Sequence, residues 1–225
     1  MSKILLNTYT PLCYTKYGRK AIEKYGFAPY IDCSCRREPD FVNPIPSITA
    51  LCRGRGCAPR LNERDRIVYM TVKGNYDNFN ERHNRLVAIL EIYKRFESHE
   101  KAASWYKEQG IALPSNCLVE GNPPLSVDKT IGLKSPLMKR ILKRSSEHQN
   151  KQLDAHIAAW DKEYWDKCKK YPVFLTCKKI FLELQNPPII TSADLKKIFG
   201  RVPGTQTPPE ISEEEYNTLV NKILK

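Results

Sequence analysis

Long apolar runs are missing from this 225-residue chain. None approaches the roughly 18 residues that a membrane-spanning helix needs. The opening Met1-Ser2-Lys3-Ile4-Leu5-Leu6-Asn7 is too short and too polar for a signal peptide. Those two absences lead us to expect a protein that touches no membrane and is cytoplasmic, or nuclear in a eukaryote. In such a compartment the eight cysteines are expected as thiols or metal ligands, not disulfides. Several chemical signatures are also missing. No Gly-Lys-Ser/Thr follows the glycine-rich stretch, so there is no P-loop. The His-x-Glu and Pro-Cys-x-x-Cys pair of zinc deaminases is absent, and no Ser-His-Asp pattern can be placed. No internal repeat is evident.

Negative charge is in short supply. Lysine and arginine number 37 against 25 acidic residues, a net charge of +12. The excess is uneven: residues 1–75 hold thirteen basic and six acidic side chains, and residues 139–179 hold eleven and five. A polyanionic partner fits this balance, DNA or RNA first. A solvated basic surface, or a module steering an acidic protein partner, fits the same numbers.

Hydrophobic residues make up 41% of the chain, enough for a core. Strand-like runs appear at Ile4–Thr10, Ile48–Cys52, Asp65–Gly74, Arg85–Tyr93 and within Tyr171–Leu184. Helices are expected from Lys16 to Tyr25, capped by Gly26, after the N-cap Ser98, over Ser145–Lys170, from Thr191 to Gly200, and from Ser212 onward. Leu153, Ile157, Trp160, Tyr164 and Cys168 recur at helical spacing and are read as one core-facing stripe. The fold class is therefore α+β, a curved mixed sheet flanked by helices. One domain over 1–225 is expected, with a helical and loop insertion at about 96–170.

Candidate site residues concentrate early. Arg53-Gly54-Arg55-Gly56 is cationic, and its glycines permit close approach to a phosphate. Arg36, Arg37 and Arg60 extend that set of phosphate contacts, and Lys139, Arg140, Lys143 and Arg144 form a further basic cluster. Phe27 and Tyr30 sit beside Arg36-Arg37, the equipment for stacking a base while a guanidinium holds its phosphate; pinning a loop to the core explains them equally. Tyr9 and Trp105 are further candidates for a base pocket. Asn116 carries the paired donor and acceptor that read a base edge, or it holds its own loop through an Asx turn. Cys33, Cys35, Cys52 and Cys57 would supply four soft ligands to zinc, but their C-x-C and C-x-x-x-x-C spacing departs from the usual knuckle. Buried structural cysteines, or a thiolate favoured by Arg53, Arg55 and Arg60, are the other readings. Apart from that zinc, no cofactor is expected. Carboxylates for Mg²⁺ (Asp65, Asp77, Glu91, Glu120) are scattered.

Four stretches also carry a likeness. Asp65-Arg66-Ile67-Val68-Tyr69-Met70, Val87-Ala88-Ile89-Leu90-Glu91-Ile92, Lys179-Ile180-Phe181-Leu182-Glu183-Leu184 and the helix entry Pro188-Ile189-Ile190-Thr191-Ser192-Ala193-Asp194-Leu195-Lys196 follow in that order. The succession resembles the PUA-like superfold of EVE, YTH and ASCH domains. Gly26-Phe27-Ala28-Pro29 and Thr49-Ala50-Leu51-Cys52-Arg53 are similar to nucleotide-modification-associated domains. Arg64-Asp65 replaces the Gly-Asp of EVE strands, and the 96–170 insertion exceeds what a minimal domain of this kind needs. The resemblance implies a partly open barrel whose pocket receives a flipped or single-stranded, modified base. The expected function is a nucleic-acid-binding module without catalysis. The alternative is a nucleotide- or nucleic-acid-processing enzyme, such as a nuclease or base-modifying enzyme; oligomeric state is left open.

Overall fold

Strand β1 (Ile4–Tyr9) is buried on both faces, and its side chains part to two cores. Leu5 and Tyr9 enter one apolar cluster, and Ile4 and Leu6 enter another. That division is the period-two alternation of a strand. In β3 (Arg66–Thr71), Ile67 and Tyr69 face the first cluster and Val68 and Met70 the second. The structure is a computed structural model that describes residues 2–76, 79, 81–130, 146–204 and 207–223. Lys139, Arg140, Lys143, Arg144 and Asp77 lie outside the described residues, as do the side chains of Leu153 and Trp160.

The sheet runs β1-β3-β4-β5-β2, with β2 at Ser47–Thr49, β4 at Asn84–Phe96 and β5 at Phe174–Leu182; a short β6 (Ile189–Ile190) pairs the start of β4. β1 lies parallel to β3, while the β3–β4, β4–β5 and β2–β5 pairs are antiparallel. Register shifts fall at Tyr69/Met70, Ile89/Leu90 and Ile92/Lys94. Such bulges bend strands and sharpen twist. The mixed sheet curls into a half-barrel, and its edge strands β1 and β2 both border one cavity.

Five helices flank the sheet among the described residues. α4 (Ser192–Phe199) and α5 (Glu213–Ile223) cover the second cluster through Leu195, Tyr216 and Leu219. α2 (His99–Glu108) packs Ala102, Trp105 and Tyr106 against Phe174. α3 (Ser146–Lys170) packs Tyr164 and Cys168 of the expected stripe onto Leu51 and Leu118, while Ile157 lies outside that cluster and Tyr164 also borders a cavity. α1 (Lys16–Tyr25) starts at Thr15, whose hydroxyl accepts from the Gly18 amide, and ends at Gly26 with φ 66°. That left-handed turn is why glycine stands there.

Gly18 has a different reason. A β-carbon on it would lie 1.7 Å from the Leu12 carbonyl oxygen. Gly18→Ala should therefore lower stability by about 1–3 kcal/mol despite alanine's better helix propensity. Chemical denaturation checks this, and an unchanged or raised midpoint would refute the close approach.

One strand is shorter than its sequence suggests. Ile48–Cys52 reads as continuous, but β2 stops at Thr49. Beyond it the chain turns, with the Leu51 amide donating to Thr49 Oγ1 and the Gly54 amide to the Ala50 carbonyl.

Candidate functional site

The two sheet edges, the irregular segment 32–38 and the end of α3 enclose a cavity of about 430 Å³. β1 supplies Asn7, Thr8 and Tyr9; β2 supplies Thr49; β3 supplies Tyr69. Asp32, Ser34 and Glu38 form an acidic wall, and Tyr164 and Lys167 of α3 also line the cavity. Arg53, exposed Cys52 and Glu163 complete the rim.

The acidic wall is held tightly. Asp32 Oδ1 accepts from the Ser34 amide at 2.8 Å, the Glu38 amide at 3.0 Å and the Ser34 hydroxyl. Glu38 Oε1 accepts from the Thr49 amide at 2.9 Å. Its Oε2 accepts from Thr49 Oγ1 at 2.6 Å and Asn116 Nδ2 at 3.1 Å. Burial disfavours the charged form of both carboxyls. It pushes Glu38 up to about 8, against the hydrogen bonds from Thr49 and Asn116. It pushes Asp32 up to about 6, against the Ser34 bonds and the Arg37 charge. At neutral pH the cavity thus holds one neutral carboxyl and one mostly ionised carboxylate.

The sequence-derived candidates divide. Tyr9 borders the cavity, its hydroxyl donating to the Tyr30 carbonyl and its ring meeting Phe41 and Tyr69 edge-on. Arg53 is at the rim, with Nη2 donating to the Thr8 carbonyl at 2.6 Å. Arg55 is exposed beside it, its guanidinium 5.7 Å from the Tyr171 ring, which Lys170 approaches at 5.4 Å. Asn116 does not face the cavity; it stands behind Glu38 and also accepts from Ser47 Oγ at 2.7 Å. Tyr30 is buried in the core. Phe27 stacks on Tyr25, and Trp105 sits under α2.

Arg36 and Arg37 are inside the protein, where no phosphate reaches them. Arg36 is 1% exposed and grips Asp161 with Nε and Nη2, at 2.8 and 3.0 Å, while Nη1 donates to the Asn122 carbonyl at 2.7 Å. Arg37 is 4% exposed and donates to the carbonyls of Asp32 and Lys129. Arg60 donates to the Pro208 carbonyl at 2.6 Å. These three guanidiniums staple loops together.

The four cysteines do not converge as a metal centre. Cys33, Cys52 and Cys57 border the cavity while Cys35 is buried apart from it. Among the described residues no three His, Cys, Asp or Glu side chains are grouped to hold a metal ion. Nor is Cys57 a thiolate: burial pushes it up to about 12, outweighing Arg53 and Arg60.

Sequence reasoning passed over Asn7, Thr8, Asp32, Glu38, Thr49, Tyr69, Tyr164 and Lys167 as site residues. One signal for them was present. Asn7-Thr8 sets two polar residues at the end of the apolar run Ile4-Leu5-Leu6, and Asp32-Cys33-Ser34 has the Asp-x-Ser spacing of an Asx turn.

The chain matches no protein-family model and no curated protein. Among the described residues no helix is long and apolar enough to cross a membrane.

Proposed function

We propose that this chain is a PUA-like module that binds DNA or RNA and receives one flipped or single-stranded, modified base in the cavity between β1, β2 and α3. The observation that carries the reading is a juxtaposition. Three tyrosines, Tyr9, Tyr69 and Tyr164, border a cavity of about 430 Å³, and Arg53 and Lys167 stand on its lining. That volume lies in the range of small-ligand sites. Arg55 and Lys170, which share the Tyr171 ring, extend the positive charge next to it. Rings stack bases, and cations at the rim hold phosphates.

The expected behaviour is oligonucleotide binding that weakens steeply with salt. The double variant Arg55→Ala/Lys170→Ala should weaken all sequences alike and reduce the slope of log K against log salt by about one to two. Fluorescence anisotropy over a salt series measures both. Absence of any nucleic-acid affinity at low salt would dismiss the reading.

A second reading rests on the carboxyls. Glu38 and Asp32 share one cavity with pKa values set apart by their surroundings, the arrangement of a general acid and general base. In that case the protein processes the nucleotide it binds. Turnover of a labelled oligonucleotide, lost in Glu38→Gln, would favour it over pure recognition.

A further inference from the structure

The floor of the cavity presents acceptors. Asn7 and Thr8 both line it, at 5% and 6% exposure, and the buried Asn7 Oδ1 and Thr8 Oγ1 have no hydrogen-bond partner. The Asp32 carboxyl lies on the same lining. Several donors nearby are engaged inside the protein, while the Lys167 ammonium and the Tyr69 hydroxyl stand on the same lining. Tyr9 Oη donates to the Tyr30 carbonyl, Thr49 Oγ1 to Glu38, Ser34 Oγ to Asp32, and Asn7 Nδ2 to Cys57 Sγ at 3.9 Å. An edge entering here therefore meets an amide oxygen, a carboxylate oxygen and a hydroxyl. A carbonyl edge would set oxygen against the Asn7 oxygen and leave that buried acceptor unsatisfied, whereas the Thr8 hydroxyl can donate or accept.

We infer that the cavity selects a ligand edge rich in N–H donors: an amino-bearing base of the adenine or cytosine type over its keto counterpart. The inference deepens the base-binding reading above and rests on it for the word base; the preference for donors rests on the acceptors alone. Adenine and hypoxanthine, and cytosine and uracil, differ by the exchange of an amino group for a carbonyl, with the adjacent ring nitrogen turned from acceptor to N–H donor, so the amino member carries two exocyclic N–H groups where the keto member carries an oxygen. Sites built to hydrogen-bond a polar group reject the analogue that lacks it far more strongly than apolar pockets reject a size change.

Isothermal titration of the full chain with AMP against IMP, and dCMP against dUMP, reads the preference. The amino member of each pair should bind at least about tenfold tighter. Asn7→Asp, which keeps an acceptor oxygen, should retain the preference, and Asn7→Leu should reduce it toward unity. Equal binding within the pairs, or tighter binding of the keto members, overturns the inference while leaving base binding intact. If no nucleotide binds, the base-binding reading fails, and 2-aminopyridine against 2-pyridone then decides the donor preference. Binding of the amine alone, lost in Asn7→Leu, upholds it; equal binding or none overturns it as well.

Discussion

Glu38→Gln is expected to flatten the decline of stability with rising pH. In the folded protein Glu38 stays neutral up to about pH 8, whereas an unperturbed glutamate ionises near 4.5. Folding therefore takes up a proton across that window. The stability linked to it is full below about 4.5 and is lost as pH rises through about 8. One pKa unit corresponds to about 1.4 kcal/mol, so the full span amounts to several kcal/mol. Two neighbouring titrations shape the acid end. Asp32 behaves in the same sense between about 3.8 and 6. His99, which burial lowers from 6.5 to about 4, acts in the opposite sense, losing stability as pH falls. The cleanest window thus lies between about 6.5 and 8. Urea denaturation at a series of pH values should show the wild type weakening there and Glu38→Gln nearly level. Parallel curves would mean that Glu38 is ionised in the fold. Because the test reads a slope, a fixed cost of the amide facing Asn116 does not affect it.

Removing the Arg36 side chain should produce a comparably large loss at neutral pH. Arg36→Met leaves Asp161 without its two-pronged partner and the Asn122 carbonyl without its donor. Breaking a buried pair from one side costs about 3–5 kcal/mol, since the remaining charge stays desolvated. For a chain of this size that corresponds to a fall in Tm of roughly 6–20 °C. Arg36→Lys should recover only part of it, because an ammonium cannot span both carboxylate oxygens. A thermal melt within about 3 °C of the wild type, roughly 1 kcal/mol, would overturn this account of the pair. The variant also bears on the cavity. Asp161 lies about one turn before Tyr164 and two before Lys167 on α3, so releasing it loosens the wall that those two residues form.

Elements specified by neighbours in sequence were legible. The α1 span with its Gly26 terminus, the Ser98 N-cap of α2 and the Thr191 start of α4 all depend on contacts within one or two turns. The Thr191 cap is reinforced by Asp194, whose side chain returns the bond to the Thr191 amide. β1, β3 and β4 were legible because short apolar runs rich in β-branched and aromatic residues, bounded by polar and turn-forming residues, leave few other states.

The candidate site was legible only in outline. Excess positive charge and early aromatics pointed toward Tyr9, Arg53 and Arg55, yet the same composition drew in Arg36, Arg37 and Arg60. A guanidinium looks alike in sequence whether it meets solvent or a carboxylate 125 positions away, as Arg36 meets Asp161. The acids were missed for the converse reason. Asp32 and Glu38 look like ordinary surface carboxylates until the fold buries them on the wall of the cavity that β1 and β2 both border.

The sequence alone determined which segments become strands and helices, where the helices stop, and that the chain carries a strong positive balance. Those properties follow from dihedral preference, local hydrogen bonding and a sum of charges. Tertiary structure alone decided which charges are buried, which polar atoms lack partners, and that a tyrosine-bordered cavity exists. Desolvation and pairing depend on residues far apart along the chain, and only closure of the curled sheet brings them together.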